Sequence, residues 1–83
     1  MSWARFIEER LQKETGDTRI RFDEEIVRPR HNDMEIVIRI GRKKFSARRS
    51  VRLGRRAAYL SAFPLLLEQI EDYLTAGPAP QAG

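Results

Sequence analysis

The sequence predicts a small α+β domain with element order α-β-β-β-α, a three-stranded antiparallel sheet packed on two helices. Three observations predict it. Trp3, Phe6, Ile7 and Leu11 form a single apolar stripe at helical spacing. A two-residue alternation then runs from Thr18 to Leu53 and is interrupted by Gly41-Arg42, which has the Gly-X form of a tight hairpin turn. Helical spacing returns at Phe63, Leu66, Leu67, Ile70, Tyr73 and Leu74.

The first helix is expected over about 3–15, with Ser2 able to cap its first turn and Gly16 able to end it in the left-handed conformation. The first strand spans Thr18–Arg28, with Ile20, Phe22 and Ile26 on one side and Arg19, Arg21, Asp23 and Glu25 on the other. Glu24 breaks the inward series, so a bulge or an edge is expected there. Pro29 has no N–H for the ladder and ends the strand. Arg30-His31-Asn32-Asp33 then reads as a turn. Met34, Ile36, Ile38 and Ile40 form the inner side of the second strand, with Glu35, Val37 and Arg39 on its far side.

Residues 43–60 support two readings. As a third strand over Lys43–Leu53, they turn Phe45, Ala47, Val51 and Leu53 inward and Lys44, Ser46, Arg48, Ser50 and Arg52 outward, with Arg49 out of step. As a helix over 47–60 they give the order α-β-β-α-α and gather five arginines within an arc of about 120°. The strand is preferred, because an isolated two-stranded hairpin is marginal and a third strand completes a sheet. Ser61 can cap the last helix, which places Pro64 in its first turn, where a missing N–H is tolerated. One domain over residues 1–76 is expected, followed by a flexible tail over 77–83 (Gly77-Pro78-Ala79-Pro80-Gln81-Ala82-Gly83), which has nothing to bury.

A chain of 83 residues buries only about 60–65% of its unfolded surface, so its core is small and a homodimer would add to it. It contains no cysteine, which excludes disulfides, thiolate chemistry and Cys-based metal sites. No apolar run approaches the ~18–20 residues of a membrane span, and charge enters within the first nine residues, unlike a signal peptide. These features point to a soluble, cytoplasmic protein.

Catalytic chemistry finds no support. His31, the only histidine, sits in a turn without the pocket and orienting partner that a general base needs. His31 with Asp33 is too few ligands for a metal, and Asp23-Glu24-Glu25 reads as a hydrophilic strand end. No phosphate loop, nucleophile motif or cofactor fingerprint occurs, so no cofactor is expected. Trp3, Phe6, Phe22, Phe45, Phe63 and Tyr73 all fall on apolar faces and read as core, which argues against an exposed stacking platform. Tyr59 alone lies within reach of the basic cluster.

That cluster is the functional signal. The formal net charge of +4 hides a polarised chain: Ile36–Leu67 has no acidic residue and nine basic ones, whereas both flanks are net acidic. The candidate binding residues are Arg42, Lys43, Lys44, Arg48, Arg49, Arg52, Arg55 and Arg56. Arg48 and Arg52 project together in either the strand or the helix reading. Arginine forks suit bidentate contact with phosphate or carboxylate. The expectation is a small, non-enzymatic binding protein that contacts nucleic-acid phosphates, of DNA or RNA, without base specificity. The alternative is a protein–protein adaptor or regulator, phage- or plasmid-like in its size, docking on an acidic protein surface. A membrane-surface helix ranks last, because the face opposite the arginines is mostly Ala, Gly and Val. The order α-β-β-β-α resembles, as an order of elements, the double-stranded-RNA-binding domain. A lysine pair begins the last helix in that family; here Arg55-Arg56 stand beside Gly54, about six residues before the helix expected from Ser61.

Overall fold

A computed structural model describes residues 2–76. The tail expected over 77–83 lies outside the described residues. The order is α1 (Trp3–Thr15), β1 (Ile20–Arg28), a 3-10 turn (Pro29–His31), β2 (Asp33–Ile40), β3 (Lys43–Ser50) and α2 (Arg55–Ala76). The strands form one antiparallel sheet in the order β1-β2-β3, so the predicted α+β class and the α-β-β-β-α order hold.

Local chemistry sets the boundaries. The Ser2 hydroxyl accepts the Arg5 N–H at 3.1 Å, and Gly16 closes α1 at φ 76° while its N–H reaches the Gln12 carbonyl. At the β2–β3 turn Gly41 has φ 61° and Arg42 has negative φ, the backbone of a type II′ hairpin. Asn32 takes φ 54° and leads the chain out of the 3-10 turn into β2. Both helices cover one sheet face. Ile7 and Leu11 of α1, Ile20, Met34, Ile36, Ile38 and Phe45 of the sheet, and Tyr59, Ala62, Leu66 and Ile70 of α2 form the core.

Three expectations change, each for a physical reason. Between Phe22 and Glu24 the β1–β2 register shifts, leaving Asp23 unpaired. The predicted bulge is present, but it exchanges the two faces of the rest of β1. Ile26 pairs with Glu35 on the outer face and Glu25 pairs with Ile36 on the helix face, the reverse of simple alternation. Second, β3 ends at Ser50, and Leu53 is 87% exposed rather than turned inward. Arg49, the residue out of step, lies on the helix face beside Met34 and donates from Nε to the Ser61 hydroxyl at 3.0 Å. Third, α2 begins at Arg55, not Ser61, so Pro64 lies inside the helix. The first helical bond runs from Ala58 N–H to the Gly54 carbonyl at 3.2 Å. Pro64 has no N–H for the Leu60 carbonyl, and that gap falls on the exposed side of the helix, where water can fill it.

Candidate functional site

The antiparallel register places the predicted basic residues in two groups, at opposite ends of β3. Arg42, Lys43 and Lys44 lie at the β2–β3 turn. Arg48, Arg49, Arg52, Arg55 and Arg56 lie at the other end, where β3 runs into α2. Arg49 lies six residue steps along β3 from Lys43, about 20 Å at the usual rise. No single continuous patch therefore contains all eight.

Intramolecular carboxylates divide them further. On the outer sheet face Asp23 lies 3.5 Å from Arg39 and 3.3 Å from Lys44, Asp33 lies 3.8 Å from Arg48, and Glu35 pairs with Arg28 at 3.1 Å. Lys44 and Arg48 were expected to turn outward as binding residues, yet each has a carboxylate beside it. The Arg28 guanidinium, by hydrogen bonding, holds the Glu35 carboxyl below its ordinary value. On the other face the displaced Glu25 accepts from Arg55 at 2.6 Å and from the Tyr59 hydroxyl at 2.5 Å. Tyr59 is fully buried, and that burial, reinforced by Glu25, pushes its ionisation upward. It is a core residue with Trp3 stacked on it at 6.1 Å, and offers no ring to a base. Lys43 instead lies over the Phe45 and Tyr73 rings at 5.9 and 6.0 Å.

Arg42, Arg49, Arg52 and Arg56 have no ion pair among the described residues. Three of these belong to the β3–α2 end, and tertiary structure adds to that end two residues that sequence reasoning left out. The Val51 N–H donates to the Asn32 carbonyl at 2.9 Å, which ties the turn carrying Arg30 and His31 to the β3–α2 loop. A hollow of about 450 Å³ opens between them, lined by His31, Asn32, Asp33, Arg48, Arg49, Ser50 and Arg52. Three arginines and one aspartate thus line one open concavity. Nothing in the local sequence of His31 announced this, because the contact joins segments about twenty residues apart. A second groove, of about 220 Å³, shares Arg49 and Ser50 with the first and continues over Leu53, Ala57 and Ser61. Among the described residues no group of three or more His, Asp or Glu side chains could hold a metal ion, and no helix is long and apolar enough to cross a membrane.

The geometry suits an anion held by several forks at once. Arg48 and Arg52 border one hollow, as expected from both readings of their segment, and Arg49 joins them from the helix face. No family model, no curated protein and no solved structure matches this chain.

Proposed function

We propose that the β3–α2 end is a non-enzymatic binding surface for nucleic-acid phosphates. The observation that carries this reading is the hollow bordered by Arg48, Arg49 and Arg52 with His31, where Arg49 and Arg52 form no ion pair among the described residues. Arg30 and Arg56 stand nearby in chain order, also without an ion pair among the described residues. Such a surface neutralises phosphates by position and charge and reads no base edge. The start of α2 at Arg55 lends further support. It puts the Arg55-Arg56 pair at the head of the last helix, where the double-stranded-RNA-binding domain carries its lysine pair.

Binding is measured on duplex and single-stranded oligonucleotides at low salt. With about four to six phosphate contacts, log affinity is expected to fall with log salt at a slope near −4 to −5. Arg49→Ala with Arg52→Ala is expected to weaken binding strongly, whereas Arg42→Ala at the far end leaves most of it. Absence of binding to either oligonucleotide at low salt rejects the reading.

A further inference from the structure

After Arg55 and Arg56, α2 is apolar from Ala57 to Leu67 on every side except at Ser61. Ala58, Tyr59, Ala62 and Leu66 fill the core, yet Leu60 and Leu65 are 44% and 38% exposed, and Pro64 is exposed between them. Leu53, also exposed, lines a groove with Ala57 and Ser61 of the same helix. A helix of this kind is ordinarily covered all round. Among the described residues the sheet and α1 cover two sides of it, and the side that carries Leu60 and Pro64 stays exposed.

The charges along this face identify what covers it. Arg56, Leu60, Pro64 and Glu68 are spaced four apart and are all exposed, so they form one ridge on the outer face of α2. The ridge reads basic, apolar, apolar, acidic. Turned end for end, it presents acidic, apolar, apolar, basic, and so complements itself. Beyond its ends the same polarity continues, with Arg52 before the helix and Glu71 and Asp72 after Glu68. Self-complementarity on one patch is the requirement for a two-fold symmetric, isologous interface.

We infer that the chain forms a homodimer by antiparallel docking of α2 on the α2 of a second copy. The two-fold axis crosses the helix at the level of Ala62. Leu60 of each copy then packs on Pro64 of the other, and Arg56 of each meets Glu68 of the other. Ala57 and Leu67 close the apolar centre, and Arg52 approaches the second copy's Asp72. The missing N–H of Pro64 leaves the Leu60 carbonyl free at the same level, so the centre keeps one polar acceptor. The inference goes beyond the nucleic-acid reading and shares Arg52 and Arg56 with it, yet either can fail alone, because His31, Arg48 and Arg49 of the hollow and Leu60, Pro64 and Glu68 of the ridge belong to one surface each.

Sedimentation of the full chain over a range of concentrations tests it. A reversible dimer is expected. Arg56→Glu and Glu68→Arg should each weaken it about tenfold or more, because every substitution appears twice at a symmetric interface and sets like charges together. The double variant Arg56→Glu with Glu68→Arg restores the dimer. Mixing the two single variants produces a heterodimer tighter than either homodimer, since both of its contacts are then of opposite sign. Circular dichroism confirms that these exposed substitutions leave the fold intact. A chain that stays monomeric at every concentration overturns the inference. So does a dimer that the single substitutions fail to weaken. Glu68→Arg adds positive charge, so loss of the dimer with retained oligonucleotide binding separates this inference from the proposed function.

Discussion

Glu25 shows how far one residue's position can depend on its neighbours. On sequence alternation it faces water with Arg21 and Asp23. One unpaired residue upstream, Asp23, turns it to the helix face, where it accepts from Tyr59 and Arg55. Tyr59→Phe removes one of these bonds and is expected to cost about 1 kcal/mol at neutral pH in urea unfolding. The effect has a pH signature. The folded ionisation of Tyr59 lies above that of a free tyrosine. Its contribution is therefore complete below about pH 10 and is lost as the pH rises further. The wild-type chain should lose stability in that alkaline window more steeply than the variant. At the acid end the sign reverses. The Glu35 carboxyl is held low by Arg28, and Asp17 by hydrogen bonds from Arg19. These groups stabilise the fold above about pH 4 and cease to do so as the pH falls through their depressed values. Arg28→Gln is expected to flatten the acid limb of the stability profile. The tyrosine was legible only as near the basic cluster; its full burial and its partner were not, because a two-residue period cannot show that a bulge has reversed the count.

At the scale of elements, α1, β2 and the Gly41-Arg42 hairpin were legible because each carries its own local signal: a stripe with two caps, an unbroken alternation, and a glycine in a tight turn. The stretch 43–60 was not, because it is composite. Its first part is strand to Ser50, and its last part, from Arg55, is already helix. The strand reading over Lys43–Leu53 and the helix reading over 47–60 overlap, and each fits a portion. Ser61 was a plausible cap, but its hydroxyl accepts from Arg49 and donates to the Ala58 carbonyl within the helix. The misplaced start has an energetic corollary. A proline inside a helix forfeits a hydrogen bond and crowds the preceding turn, a cost of up to about 3 kcal/mol. Pro64→Ala is expected to raise the stability of the dilute chain by about 1–3 kcal/mol in chemical unfolding. A loss of stability there would mean that the proline ring is packed rather than tolerated.

At the scale of the molecule, the charge pattern along the chain and the charge pattern in space differ. The acid-free window from Ile36 to Leu67 suggested one uncompensated field. Pairing β2 with both neighbours brings Asp23, Asp33 and Glu35 onto the outer face among Arg28, Arg39, Lys44 and Arg48. Such partly exposed pairs are individually weak and yield to a stronger anion. They nevertheless reduce the field that a distant polyanion meets. Lys44→Ala should therefore change oligonucleotide affinity and its salt slope less than Arg52→Ala does. An equal effect of the two would place binding on the sheet face instead of the β3–α2 end.

The sequence by itself determined the class of the fold, the order of its elements, the one strongly basic segment and most of the core, because caps, turns and periodicities act over a few residues. Only the tertiary structure decided which of those charges remain free, that Arg30 and His31 share an end with Arg49 and Arg52, and that α2 leaves an apolar ridge uncovered. Those properties depend on strand register and on contacts between segments distant in the chain, and a single bulge at Asp23 was enough to change which side chains meet.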